Sequence, residues 1–220
     1  MKFVTISDTH GKHNKLLLPK GDVLIHAGDV SMMGKESEIE DFMNWFKAQD
    51  FKYKIMVAGN HDFLFERAPQ YLIEKIIPEN IIYLNDSRVT IDEIKIWGSP
   101  VTPWFFNWAF NRHRGEEINK HWKLIRSGTD IVITHGPVFG ILDKTQTGEH
   151  VGCKDLLNKV NEIKPKVYIG GHIHEGYGII KKAGSTFINV SVVNVKYEVA
   201  NKPVVFNGND RFCCRYWCCA

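Results

Sequence analysis

The sequence predicts an α/β fold of four layers, αββα, in which two mixed β-sheets pack face to face with helices outside each. Three observations lead there. Short apolar, β-rich runs recur along the chain, and they are continuous rather than alternating, as in strands covered on both faces. Helical apolar spacing fills several of the intervals between them. Paired strands around tight turns come later in the chain, so antiparallel strands flank the parallel ones.

Phe3–Ile6, Val23–Ala27 and Lys54–Ala58 read as central strands, with a helix over Glu36–Ala48 that places Ile39, Phe42, Met43 and Phe46 on one face. A second helix, Pro69–Ile77, opens on a proline, whose fixed φ suits a first helical turn. Val89–Ile91 and Ile94–Trp97 form a hairpin about Asp92-Glu93, and Glu116–Ile125 a third helix carrying Ile118, Trp122 and Ile125. Ile131–Thr134 and Val167–Ile169 are further buried strands. A second hairpin pairs Gly178–Lys181 with Thr186–Val190 across Ala183-Gly184-Ser185. No repeat and no linker precedes Asn207, so residues 1–206 read as one domain and residues 207–220 as a Cys-rich, disordered tail.

The 220 residues suffice for a self-sustaining core. A composition of 44% hydrophobic and 24% charged residues excludes a disordered or membrane-embedded chain. A net charge of +3, evenly mixed, gives no footprint for a nucleic-acid duplex. The apolar start is too short for a signal peptide, so a cytoplasmic location is expected. Four of the five cysteines crowd the last eight residues, which is no disulfide framework. That ending carries no prenylation box, since Trp217 stands fourth from the end, and membrane contact through it is not expected.

Five blocks follow strands directly: Asp8-Thr9-His10, Gly28-Asp29, Gly59-Asn60-His61-Asp62, His135-Gly136 and Gly171-His172-Ile173-His174. Loops at strand ends are where an α/β protein assembles a site. An i, i+2 pair points both side chains one way, so Asp8 with His10, and His172 with His174, are each expected to aim at one locus. Gly28, Gly59 and Gly171 allow sharp turns and close backbone approach. Two carboxylates, an amide oxygen and several imidazoles, with no thiolate, suit a pair of divalent ions. Mn²⁺ is expected, with Fe, Zn²⁺ or Mg²⁺ as alternatives, rather than a purely hard Ca²⁺ site. Two such ions bring +4 and Asp8 and Asp29 return −2, leaving a pocket that attracts phosphate.

In this order the blocks resemble the pattern of the calcineurin-like metallophosphoesterases, D-x-H, G-D, G-N-H-D, an isolated H, then G-H-x-H. The resemblance implies that Asp8, His10, Asp29 and His174 hold one ion and Asp29, Asn60, His135 and His172 the other, with Asp29 shared. It implies a hydroxide between the ions that attacks phosphorus in line. His61 would protonate the leaving oxygen, with Asp62 orienting its ring. Further blocks, Leu24-Ile25-His26-Ala27-Gly28-Asp29, Trp97-Gly98-Ser99-Pro100, Thr102-Pro103-Trp104-Phe105, Thr134-His135-Gly136-Pro137, Gly140-Ile141-Leu142-Asp143 and the stretch from Gly171 to Gly178, are similar to the metallophosphoesterase-domain-containing subfamily of vertebrate brain and bacteria. That narrower resemblance covers the chain to about residue 206 and implies phosphodiester hydrolysis, cyclic nucleotides included. It also bears on activity, because weak vertebrate members lack the first histidine of the last block and this chain keeps His172. A phosphomonoesterase or protein phosphatase with the same two ions is the alternative, and a non-catalytic metal-binding scaffold the distant one.

Among the remaining residues, His26 lies within an apolar strand and reads as a core residue or a support behind the site. His13, His113 and His121 are expected in solvent. His150 is a candidate substrate contact on the loop after His135. Of the rings between Trp97 and Phe110, Trp104 is the one placed at the pocket and the others are assigned to packing.

Overall fold

Alternation inside the first strand sets the layering. Val4 and Ile6 join one apolar cluster and Phe3 another, on opposite faces of the pleat. In this computed structural model, residues 1–208 are described. The elements run β1 (Lys2–Ile6), β2 (Val23–Ala27), α1 (Glu36–Ala48), β3 (Tyr53–Val57), α2 (Phe63–Arg67), α3 (Gln70–Ile76), β4 (Ile82–Tyr83), β5 (Ser87–Ile91) and β6 (Ile94–Ser99). They continue as β7 (Thr102–Pro103), β8 (Asn111–Arg112), α4 (Glu116–Trp122), β9 (Ile131–Thr134), α5 (Lys154–Ile163), β10 (Val167–Gly170), β11 (Gly178–Lys182), β12 (Ser185–Asn189) and β13 (Val204–Asn207).

Two mixed sheets result. The first has the order β13-β1-β2-β3-β4, with β13 antiparallel and the rest parallel. The second has the order β11-β12-β10-β9-β6-β5, parallel in the centre and antiparallel at both edges. Ile25, Ile55 and Val57 of the first sheet pack against Ile96, Ile131, Ile133 and Ile169 of the second. The outer face of the first sheet takes Ile39, Phe42, Met43 and Phe46 of α1, and the outer face of the second takes Ile118 and Trp122 of α4 with Leu156 and Val160 of α5. Each such burial stabilises by about 1.5–3 kcal/mol. The expected αββα layering is therefore the observed one.

Local chemistry fixes the turns. Asp92 and Glu93 both have positive φ, 43° and 69°, the conformation that suits a two-residue hairpin. Ser185 pairs with Lys182, so the second hairpin turns on Ala183-Gly184 alone, with φ of 51° and 87°, and not on the three residues expected. Helix α5 was not anticipated. Its Leu156 and Val160 lie at i, i+4, and the Cys153 thiol accepts the Leu156 N–H at 3.4 Å at its start. Strand β13 carries the first sheet through Asn207, one residue past the expected domain boundary. The expectations for the Cys-rich tail fall on residues 209–220, outside those described. Among the described residues no helix is long and apolar enough to cross a membrane.

The layering positions the five blocks. Strands β1, β2, β3, β9 and β10 end at the same rim of the sandwich, and two bonds there tie the sheets together: Ser7 N–H to Val190 C=O at 3.0 Å, and Val192 N–H to Ser7 C=O at 3.1 Å.

Candidate metal centre and cleft

The rim loops depart sharply from strand geometry. Asp8, His10, Asp29 and His172 have φ of 56°, 43°, 59° and 67°, left-handed values that Asp and His tolerate better than bulkier residues. Each costs about 1–3 kcal/mol of backbone strain. Cross-loop bonds offset it: Asp8 N–H to Gly28 C=O at 2.9 Å, His10 N–H to Asp29 C=O at 3.1 Å, and Gly171 N–H to His135 C=O at 2.9 Å. A side chain at Gly59 would run into the Asp29 carboxylate, and one at Gly171 into Ser7 Oγ and the Asp8 carboxylate. The backbone is thus pressed against both acids at these two positions.

Three overlapping groups form, each with ligand-type atoms within 4.8 Å of one another: Asp8, His10 and His174; His10, Asp29 and His61; Asp29, His135 and His172. Asp29 belongs to two of them. Asn60 joins through its side-chain oxygen, 2.9 Å from His135 Nε2, which stands 3.2 Å from the Asp29 carboxylate. His172 and His174 fall in different groups, contrary to the shared locus expected from their i, i+2 spacing. The left-handed turn at His172 breaks the strand period on which that expectation rested.

Four imidazoles are oriented in the same way. Nδ1 faces a backbone carbonyl in His10 (Ser31, 3.1 Å), His61 (Met32, 2.7 Å), His135 (Ala27, 3.0 Å) and His174 (Asn194, 3.1 Å). A carbonyl only accepts, so Nδ1 carries the proton and Nε2 is left to face the centre. His10 Nε2 is buried there without a hydrogen-bond partner. An unpartnered imidazole nitrogen beside two buried carboxylates is what a divalent cation would complete.

Burial holds His10 at about 4 and His172 at about 3, so both are neutral at pH 7 and able to ligate. Burial also lowers His135, but the Asp29 carboxylate outweighs it and lifts the ring to about 9. Burial raises Asp8 and Asp29, yet His174 and His135 hold Asp8, and His135 foremost holds Asp29, below the ordinary carboxylate range. The acids are therefore charged.

Several expected roles change. Asp62 does not touch the His61 ring, whose Nδ1 is taken by Met32. Its carboxylate instead accepts from Val30 N–H (3.1 Å), Ser31 N–H (3.0 Å), Gly59 N–H (2.8 Å) and the Ser31 hydroxyl (2.6 Å). It clamps the loops after β2 and β3 to one another. Burial and then Asp29 push Asp62 up to about 6, against the pull of those bonds. His13 is fully buried against Phe42 and Trp45, not solvated, and His121 is half-buried with Nδ1 2.6 Å from Asp86; His113 is exposed. His26 is buried behind the site, as expected. Gly28 N–H donates to its Nδ1 at 3.2 Å, so its Nε2–H donates to Thr9 Oγ1 at 3.0 Å.

A cleft of about 390 Å³ opens onto Asp29, Asn60, His61, His172 and His174. Its walls are Phe105, Trp108 and Tyr197, the Thr145-Gln146-Thr147 loop tip, Glu175 and Val195. Trp104 lies elsewhere, 48% exposed and stacked on His113, with Nε1 donating to Asn107 at 2.9 Å. Trp108 is the ring at the site, 4.3 Å from His61 between centroids, placed there by the Ala109 N–H bond to Asn60 C=O. His150 also stands outside the cleft wall, paired with the buried Asp143 at 2.6 Å, while the tip of its loop reaches the cleft. Nothing in the spacing of the Trp97–Phe110 rings separates Trp108 from Trp104, and no motif marks Tyr197.

Residues 1–176 match the family described as calcineurin-like phosphoesterase. The chain belongs to that family. As a calcineurin-like phosphoesterase it is a metal-dependent hydrolase of phosphoester bonds, in a family that works with two metal ions. It is 39% identical to metallophosphoesterase domain-containing protein 1 of Homo sapiens, over 94% of this chain and 70% of that one. It is 37% identical to the UPF0046 protein K07C11.7 of Caenorhabditis elegans, over 94% and 74%. The solved phosphopantetheinyl hydrolase of Mycobacterium tuberculosis shares the fold, with a TM-score of 0.62 at 18% identity over 89% of this chain and 90% of that one.

Proposed function

We propose that this calcineurin-like phosphoesterase is a phosphodiesterase on small phosphodiesters, cyclic nucleotides among them, with two ions of which Mn²⁺ is the first assignment. Asp8, His10, Asp29 and His174 would hold one ion, and Asp29, Asn60, His135 and His172 the other. Bound there, the ions supply an activated water nucleophile and neutralise charge on the phosphoryl oxygens. Asp29, whose Oδ1 also accepts the His61 N–H at 2.8 Å, fixes the spacing of the two sets and the place of His61 together. His61, with Nδ1–H committed to Met32, turns Nε2 toward the cleft 4.0 Å from Asp29, where, as the imidazolium, it would give its Nε2 proton to the leaving oxygen and be left neutral.

The observation that carries the diester preference is the cleft wall. Outside the metal cluster it consists of aromatic rings, hydroxyls, an amide, Val195 and the carboxylate of Glu175. A monoester near neutral pH carries close to two negative charges and a diester one. A wall whose charged member is an acid suits the singly charged ester, and Trp108 and Phe105 offer faces for a base.

Metal-stripped protein reloaded with Mn²⁺, Mg²⁺ or Zn²⁺ and offered mono- and diester chromogens, 2′,3′- and 3′,5′-cyclic nucleotides tests the assignment. Diester turnover exceeding monoester turnover, greatest with Mn²⁺, is expected. Faster monoester turnover would replace the diesterase with a phosphomonoesterase at the same site.

A further inference from the structure

The turn at 194–198 is built on one side chain. Asn194 Oδ1 accepts from Lys196 N–H at 2.9 Å and Glu198 N–H at 3.1 Å, and its Nδ2 donates to the Glu198 carboxylate at 3.1 Å. The Asn194 carbonyl accepts twice, from His174 Nδ1–H at 3.1 Å and from Tyr197 N–H at 2.8 Å. A single carbonyl therefore sets both a candidate metal ligand and an aromatic ring beside it.

Tyr197 is held at φ 59°, a left-handed value that is an outlier for a bulky residue and persists only where the surroundings over-determine it. Its ring stands edge-on to His10 at 4.8 Å, to His174 at 5.1 Å and to His61 at 6.3 Å, and it lines the cleft with Asp29 and Asn60. Lys12 Nζ lies 5.8 Å from the ring centroid. Among the described residues no group hydrogen-bonds the phenol oxygen of this partly buried ring, which lines the cleft. A strained ring, a turn built to hold it and a hydroxyl with no protein partner at the cluster's edge leave that donor available to a ligand in the cleft.

We propose that Tyr197 is a substrate-contacting residue, its hydroxyl donating to a phosphoryl oxygen of the bound ester. The role rests on the assignment of this cleft as the phosphoester site, but not on the preference for diesters. It lies beyond the five blocks and past residue 176, where the family match ends.

Tyr197→Phe removes the hydroxyl and keeps the ring. With Mn²⁺-loaded protein, three quantities are compared with the wild type: kcat/KM on the diester chromogen, bound metal per chain, and the affinity for inorganic phosphate by calorimetric titration. One hydrogen bond to a charged group gives an expected loss of about 10- to 100-fold in kcat/KM, with phosphate binding weakened in the same direction and metal content unchanged. Unchanged kcat/KM and phosphate affinity would overturn the role. So would a loss that follows lost metal, since the phenol would then support the cluster and not the ester. If the wild type prefers the monoester, the diester preference fails alone and the same ratio is read on the monoester. If it turns over neither ester, the phosphate titration decides.

Discussion

The floor of the cleft and its wall differ in burial and in how far their bonds reach across the fold. On the floor, Asp8, His10, Asp29 and His135 are buried, four imidazole rings are turned by backbone carbonyls, and the loops are bonded across both sheets. On the wall, Phe105, Trp108 and Tyr197 are half-exposed, and the Thr145–Thr147 tip is closed by the local backbone bonds Thr145 N–H to Glu149 C=O and Gly148 N–H to Thr145 C=O, both 2.9 Å, and tied to Glu175 by Gln146 N–H at 2.7 Å. Preorganisation matters most where charge develops, and adaptable surface serves where only the substrate's body must fit. Changes on the floor should therefore remove chemistry, and changes on the wall should alter affinity.

The largest effect is expected at Asp29, which belongs to two of the three ligand groups and also accepts the His61 N–H. Asp29→Asn should lower kcat by about 10³-fold or more and reduce bound metal below two ions per chain, read by elemental analysis beside a diesterase assay. Full metal content with full turnover would mean that the groups are not bridged. His61→Ala comes next, at about 10²- to 10⁴-fold in kcat with both ions kept. Because His61 also falls within 4.8 Å of His10 and Asp29, metal content separates its two chemical uses. Loss of an ion would make it a ligand, and retention a proton donor.

Asp62 divides the floor further. Asp62→Ala would strand the N–H groups of Val30, Ser31 and Gly59, and unfolding free energy by urea titration should fall by about 3–5 kcal/mol. Were the residue there to orient His61, turnover would fall instead with stability intact.

The floor was legible in the sequence for a physical reason. Each candidate ligand follows a continuous apolar strand, and the parallel strands must end at one rim, so Asp8, Asn60 and His172 meet although far apart in the chain. What failed was local geometry: the left-handed turn at His172 sends His172 and His174 to different groups, and Asp62 points away from the ring beside it in sequence. Burial was misjudged at His13, whose polar neighbours Lys12 and Asn14 hide its packing against Phe42 and Trp45. The wall was not legible. Trp104 and Trp108 have the same composition around them, and what selects Trp108 is a tertiary bond from Ala109 to Asn60. β13 is a strand because β1 offers it an edge, a pairing no local signal announces.

The smallest expected effects come from the two tryptophans, and they test the wall most directly. Trp108 stacks on Phe63 at 5.7 Å and stands beside His61, facing the cleft. Trp104 stacks on His113 on the outside of the same segment. Truncating a ring that receives a base weakens binding by about tenfold, so Trp108→Ala should raise KM for a cyclic nucleotide by that order with kcat held within about twofold. Trp104→Ala, at an exposed position away from the cleft, should change either constant by no more than about twofold. A chromogenic diester without a base supplies the control. If Trp108→Ala raises KM equally for the base-free ester, the ring is packing for His61 rather than a platform, and the wall belongs with the floor.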